Sequence, residues 1–458
     1  MSKRKIEQEP IDNTKIAANI IPTEIPKFMI ESYYQYISYI ASGRVNCNIM
    51  DGFKNIHRRI LYAALQICRN NNVKSAKLQG EVTGTYSPHG DCYESIVGVV
   101  NDGLLIGQGG FGNNKGVEKE RAGAQRYTEV RLNPITEVLF MNKELMPYVD
   151  YIESELSTLE KKYYEPLYLP VLLPGIFVGI TDNCEFDSGM ALKLSFKYPR
   201  YAVMTLLNYV ITYLETGEFK PELLYYQYHN MIKRADNDVK SSIDVTFRAP
   251  IKVDEDNNIH LLCTLPFVNM ETLLSSIPFE DHTSNKTDIV FDKKYYTKKF
   301  ESTVHFNSKA YKVINNDYEN VVLYDYPVRY AIEIILNNLK NILFPRYFTD
   351  KESKIREQIK EFELLKIVRT KYVDNKIAFE KLTDEEKACA GRHSSSTFMT
   401  IEKKLDKLNE DLKILLKRAK NIDNEILALY KDAKIKVQEY LQKYYKDNDV
   451  TIYDVTNS

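Results

Sequence analysis

In the last third of the chain, Ile401, Leu405, Leu408, Leu412, Leu415, Ala419, Ile422, Ile426 and Leu429 recur at alternating steps of four and three. That period puts every one of these side chains on one stripe of a helix, and such a stripe needs a partner helix to cover it. The preceding segment carries a rougher stripe, Ile355, Ile359, Phe362 and Val368. Residues 373–400 between them hold DNK, LTDEEK and GRHSSS, which turn the chain round. Together the patterns predict an antiparallel coiled coil closed by a small helical cap. A structural arm that only spaces or dimerises the protein would satisfy them equally well.

A chain of 458 residues exceeds one ordinary core, so two to four domains are expected. No stretch of about 18 apolar residues is present, and the start, MSKRKIEQEP, is charged and unlike a signal sequence. Cys47, Cys68, Cys92, Cys184, Cys263 and Cys389 are scattered with no CxxC pair, which predicts reduced structural thiols and neither zinc nor disulfide architecture. The net charge of −1 argues against a dedicated polyanion binder. Residues 51–131 nevertheless hold 11 Lys/Arg against 8 Asp/Glu, clustered in KNIHRR (54–59) and KERAGAQRYTEVR (119–131).

Residues 1–20 read as a polar arm. IPTEIPKFMIESYYQYISYIASGR (21–44) has prolines only near its start, where a helix tolerates them. Asp51-Gly52 opens an amphipathic helix with Ile56, Ile60, Ala63, Ala64 and Ile67 on one side. VKSAKLQGEVTGTY predicts a short third helix, and Ser87-Pro88 starts a fourth with Ile96, Val97, Val99 and Val100 buried. Helices joined by a tight turn, followed by a glycine-rich hairpin, outline a winged helix-turn-helix. GQGGFGNNKG (107–116) lacks the Gly-Lys-Ser/Thr and following helix of a phosphate loop, so it reads as a flexible wing or loop. Residues 151–345 change character, with strands bounded by Pro166, Pro170 and Pro174 and a helix over 201–219. DEDNN (254–258) contains an Asp-x-Asp, but its place between IKV and IHLLC predicts a hairpin turn rather than a metal pair.

Tyr127 stands in RAGAQRYTEVRL, directly after Arg126 and before a strand-like alternation. Most of the 34 tyrosines must serve packing, since the ring is amphipathic. The surrounding motifs single this one out. GRVNCNIMDGFKNIHRRILYA (43–63), KSAKLQGEVTGTYSPHGD (74–91), GQGGFGNNKG (107–116) and AQRYTEVRL (124–132) come in an order that resembles the DNA-cleavage region of type IIA topoisomerases. EPLYLPVLLP (165–174) and SGMA (188–191) continue the resemblance more weakly. The nearest patterns are those of gyrase A-type proteins and of their counterpart in large-phage topoisomerases.

The resemblance implies an α+β multidomain fold: an N-terminal arm (1–22), a winged-helix DNA-cleavage domain (23–150), a β-rich tower domain (151–345), an antiparallel coiled coil with a helical dimer gate (346–440) and a tail (441–458). It implies that Tyr127 is a nucleophile forming 5′-phosphotyrosyl links, with Arg126 clamping the scissile phosphate. His89 would donate a hydrogen bond or carry a proton, and Arg44 would approach the site from the dimer mate. Lys54, His57, Arg58, Arg59, Lys74, Lys77 and Arg131 would contact the DNA backbone without reading sequence. Met190 would be the wedge that bends the duplex, with Ile180 as the alternative. Ser87 departs from the more usual histidine or similar residue two places before His89, and the segment after Gly90-Asp91 is two residues shorter than in bacterial gyrase.

No ATP-binding signature and no Glu-Gly-x-Ser-Ala metal domain is present, so the resemblance assigns ATP and Mg²⁺ to a separate gyrase B-like subunit. Further expected partners are double-stranded DNA and a second copy of the chain, in an intracellular setting with no membrane. Little room follows the coiled coil for a DNA-wrapping domain, which favours relaxation and decatenation over supercoiling. A non-catalytic architectural protein on the same scaffold would need neither Tyr127 nor Arg126, and a cleavage-only relative would lack the long gate.

Overall fold

The computed structural model describes residues 24–447 except 113–120, 180–185, 192–193, 221–224, 227–232, 237–241, 249–250, 262–276, 279–281, 285–288, 293, 295–300, 308–310, 318–319, 372–374, 376–378 and 394. It is mostly helical with several small antiparallel sheets, an α+β arrangement. The chain divides into a unit up to Asn46 and a larger one from Cys47. In the first, α1 spans Ile25–Ile40 with proline in its first turn and runs into a π-helical turn, Ala41–Val45, that carries Arg44. No helix among the described residues is long and apolar enough to cross a membrane.

The larger unit opens with α2 (Asn55–Ile67), β1 (Val73–Lys74), α3 (Ser75–Thr85), α4 (Tyr93–Asn101), β2 (Leu105–Gln108) and β3 (Glu129–Leu132). The three strands form one antiparallel sheet in the order β1-β3-β2. Val130 and Leu132 face the core while Glu129 and Arg131 stay half-buried, the period-two alternation expected of a sheet with one buried face. Ile60, Leu61, Ala63 and Ala64 of α2, Leu78 and Val82 of α3, and Ile96 and Val99 of α4 fill the same core.

Two helix starts fall later than the sequence predicts. α2 begins at Asn55 because Gly52 takes a left-handed φ of 72° and the buried Asp51 carboxylate holds the turn. Its Oδ1 accepts the Phe53 amide at 2.9 Å, and its Oδ2 accepts the Leu169 amide at 3.0 Å. α4 begins at Tyr93 and not at Ser87-Pro88, because Gly90 is left-handed (φ 77°) and Asp91 Oδ1 takes the Tyr93 amide at 2.8 Å.

α5 (Pro134–Phe140) follows β3 directly, its first turn capped by the Asn133 side chain. α6 (Val203–Thr216) ends on the left-handed Gly217. Between 225 and 325 the described strands make three antiparallel sheets. Ile251–Val253 and Asn258–Leu261 pair as a hairpin, so Asp254 to Asn257 form the turn that DEDNN predicts. Asp254 Oδ1 accepts the Asn258 amide at 2.7 Å, which gives that carboxylate a turn-making role.

The final third is helical: α7 (Tyr326–Asn338), α8 (Phe344–Arg369), α9 (Asp384–Gly391), α10 (Ser395–Ala419) and α11 (Ile422–Asp447). α8 and α10 run antiparallel: Lys366 pairs with Glu402, Lys404 lies over Phe362, and Arg418 lies over Phe348. Leu365 of α8, Cys389 of α9, and Ile401 and Leu405 of α10 form one buried cluster. The nine-residue stripe is not one seam, however. The helix breaks at Lys420 and Asn421, so Ile422, Ile426 and Leu429 belong to α11, whose buried face is Ile426, Tyr430, Ala433, Val437 and Leu441. That face packs into the main core, where Tyr430 donates to the Leu172 carbonyl. The spacing continued across a helix boundary because period alone does not register a break. α11 also runs past residue 440, the expected end of the gate.

Candidate functional site

Tyr127 follows a tight turn, its amide donating to the Ala124 carbonyl at 2.8 Å, and its side chain is 67% exposed. The Arg126 guanidinium lies over the ring, 4.7 Å from its centroid, a cation–π geometry. Two residues later β3 begins, so the tyrosine sits at the mouth of the sheet rather than within it.

The loop that carries it is tied down from below. The first amides of a helix have no partner within the helix. Those of α3 find theirs here: Ser75 N donates to Thr128 O at 3.0 Å and Ala76 N to Gln125 O at 3.2 Å. Thr128, 1% exposed, places its hydroxyl 2.8 Å from Ser75 Oγ and 2.9 Å from Tyr93 Oη. Tyr93 in turn donates to the Gly123 carbonyl. Gly109, at φ 100°, passes so close that an added Cβ would meet the Tyr127 carbonyl oxygen at 3.3 Å. Sequence reasoning missed Ser75, Tyr93 and Thr128. The alternation of the RYTEVRL strand was the available signal, since it turns Thr128 inward when Tyr127 faces out.

The basic residues separate into two groups. Lys74 and Lys77 of the β1–α3 segment are exposed, with Lys74 2.7 Å from Glu129. Lys54, His57 and Arg131 are half-buried, and His89 is exposed beside Gly90 between α3 and α4. Arg126 is exposed too; Arg44, also exposed, belongs to the separate N-terminal unit.

Arg58 and Arg59 are placed differently from the other basic residues. Both are buried, at 6% and 9% exposure, and committed to carboxylates of this chain. Arg58 Nε meets Asp51 Oδ2 at 2.6 Å, and Arg59 holds Glu165 with two bonds of 2.7 Å. Buried and paired in this way, these arginines fix α2 to the segments beneath it. Asp51, not singled out by the sequence, is the hub of that arrangement.

Met190 lies on the strand Phe186–Ala191, in register with Ser195 of Leu194–Pro199. Ile180 lies outside the described residues. Burial pushes the Cys68 and Cys92 thiols up to about 12, which keeps them protonated and unreactive at neutral pH. Among the described residues, one mixed group of donors comes within 4.8 Å: Glu361, Cys389 and His393. Its carboxylate already faces Arg392 at 3.1 Å and His393 at 3.3 Å, so protein partners account for it.

The whole matches the pattern of a known class. The family model of the DNA gyrase/topoisomerase IV A subunit covers residues 46–448, and the chain belongs to that family, whose members are type IIA topoisomerase A-like subunits. Among relatives, it is 32% identical over 221 residues to the DNA gyrase A subunit of Leptospira biflexa serovar Patoc, 46% of this chain and 25% of that protein. It is 33% identical over 208 residues to the DNA gyrase A subunit of Haloquadratum walsbyi, covering 43% and 23%. It is 35% identical over 181 residues to the DNA topoisomerase 4 A subunit of Synechocystis sp., covering 36% and 19%. The matched stretch thus spans a quarter or less of the length of these relatives.

Proposed function

We propose that this chain is the DNA-cleaving subunit of an ATP-dependent type II topoisomerase, acting as a homodimer with a separate gyrase B-like subunit that binds ATP and Mg²⁺. In this reading residues 23–150 are the winged-helix cleavage domain, 151–345 the tower, and 346–440 the coiled coil and dimer gate, with 1–22 an arm and 441–458 a tail. The observation that carries it is Tyr127 itself: an exposed phenol beside an exposed guanidinium, on a loop held by buried hydrogen bonds, inside the family match.

The phenolic oxygen attacks a backbone phosphorus, an O–P bond forms, and the bond to the 3′ oxygen of the neighbouring nucleotide breaks. The phenolic proton leaves, and the departing 3′ oxygen gains one. A phenol is a weak nucleophile until its proton is removed, so the attack needs help. Arg126 supplies positive charge where the phosphorane builds negative charge, His89 moves the proton, and Arg44 enters from the dimer mate. The phosphotyrosyl ester retains the bond energy of the phosphodiester, so the reverse attack reseals the strand once a second duplex has passed. The gyrase B-like partner would hold Mg²⁺, which would supply positive charge to the phosphate.

Lys54, His57, Lys74, Lys77 and Arg131 contact the DNA backbone, and Met190 or Ile180 wedges the duplex. Arg58 and Arg59 drop out of the contact set because they are paired inside the fold. The test is cleavage of supercoiled plasmid with Mg²⁺ and the ATPase subunit, trapped with detergent and treated with protease. Protein-linked linear DNA from wild type, and none from Tyr127→Phe, is the expected result. Equal DNA binding with no linked product from either protein would favour a non-catalytic architectural role.

A further inference from the structure

The Tyr127 side chain is 67% exposed, so packing does not aim its phenol. Its direction depends on the backbone of residues 123–128, which hydrogen bonds to other parts of the fold hold in place. Ser75 and Ala76 amides hold Thr128 and Gln125, the Gly123 amide donates to Gly110 O at 2.8 Å, and Tyr93 holds the Gly123 carbonyl. Thr128 Oγ1 joins the two helix starts, lying between Ser75 Oγ of α3 and Tyr93 Oη of α4. Ser75 is fully buried and Thr128 nearly so, where hydroxyls need partners and hydrogen bonds are strong.

We infer that Thr128 and Tyr93 are positioning residues for Tyr127: their hydroxyls fix the loop to the starts of α3 and α4 and so set the line of attack of the phenol. The inference rests on Tyr127 being the nucleophile. Neither side chain touches the scissile phosphate; both act through the backbone that presents Tyr127. A misplacement of about 1 Å at a reacting atom costs on the order of 10²-fold in rate. Because one geometry serves attack and resealing, loosening it slows both directions alike. The fraction of DNA held as adduct at equilibrium is then unchanged while the approach to it slows.

The test uses Thr128→Val, which keeps the branched shape and removes the hydroxyl, and Tyr93→Phe. Each is assembled with Mg²⁺ and the ATPase subunit on a short duplex oligonucleotide, beside wild type, Thr128→Ser and Tyr127→Phe. The expected result is a slowing of adduct formation and of resealing, each by about 10–100-fold in Thr128→Val and in the same direction in Tyr93→Phe. Dissociation constants for duplex DNA and their salt dependence stay at the wild-type value, and Thr128→Ser recovers most of the rate. A merely structural role would lower thermal stability and DNA affinity together and leave no rate-only effect. Adduct formation at the wild-type rate in both variants overturns the inference. Absence of a Tyr127-dependent adduct in wild type overturns the reading beneath it, and the inference with it.

Discussion

Arg59 and Glu165, 106 positions apart, meet in a buried two-pronged pair with both bonds at 2.7 Å. The pair joins α2 to the strand Tyr164–Pro166, which lies just before the proline-bounded LYLPVLLP segment. Removing one partner strands a charge where water cannot reach it, at a cost of about 3–5 kcal/mol. Arg59→Met is therefore expected to lower stability by that amount in denaturant unfolding. The double variant Arg59→Met/Glu165→Leu recovers a large part, because no lone charge remains.

Gly52 is the second fixed point of the same region. Its φ of 72° disfavours any side chain, and a Cβ there would come within 2.6 Å of the Gly175 amide nitrogen. Gly52→Ala should destabilise by about 1–3 kcal/mol from backbone strain alone, with more from displacement of the Pro174–Gly175 backbone. Gly84, near the end of α3, meets nothing within 4 Å, so Gly84→Ala is expected to stabilise by about 0.5–1 kcal/mol. Opposite shifts in the unfolding midpoint check the pair.

Tyr430 ties α11 to the core through its hydroxyl, which donates to the Leu172 carbonyl. Complete burial pushes its phenol well above the ordinary value. The folded state therefore favours the neutral phenol. Stability from it is complete below the unfolded value of about 10 and declines as pH rises further. Tyr430→Phe should cost about 1–3 kcal/mol at neutral pH and show a shallower loss of stability in alkali. Unfolding followed at neutral pH and above pH 10 tests both statements.

Glu386 does the reverse at the acid end. Its bond to Lys371 and the Thr383 amide hold its carboxyl below the usual glutamate range. The contribution to stability is present above the ordinary value of about 4.3 and is lost as pH falls through the lower folded value. Glu386→Gln keeps part of the capping box at the start of α9 and should flatten the acid limb of the unfolding profile. An unchanged acid limb would show that Glu386 contributes nothing there.

How much of the fold the sequence carried depends on the range of the interaction. Local period made the helices of the first hundred residues legible, and DEDNN read as a turn because two β patterns flanked it. The antiparallel run of α8 against α10 followed from two stripes with a turning segment between. What local pattern lacks is the partner. KNIHRR looks basic on paper, yet Asp51 and Glu165 neutralise two of its arginines, one from a distance of 106 positions. The four-and-three stripe passed across Ala419 into α11 unbroken because Ile422 and Ile426 keep the step while packing against a different neighbour. Tyr127 stood out from its motif; the hydroxyls that hold its loop did not, since Ser75, Tyr93 and Thr128 converge only in three dimensions.

The central claim is that Tyr127 forms the bond to DNA. The most direct measurement traps the adduct formed with Mg²⁺ and the ATPase subunit, digests the DNA with nuclease and the protein with trypsin, and maps the modified peptide by mass spectrometry. Trypsin cuts after Arg126 and Arg131, leaving residues 127–131, YTEVR, with one tyrosine. The account predicts the residual nucleotide on that peptide. A nucleotide on any other tyrosine peptide, or no DNA-linked peptide at all, would contradict it.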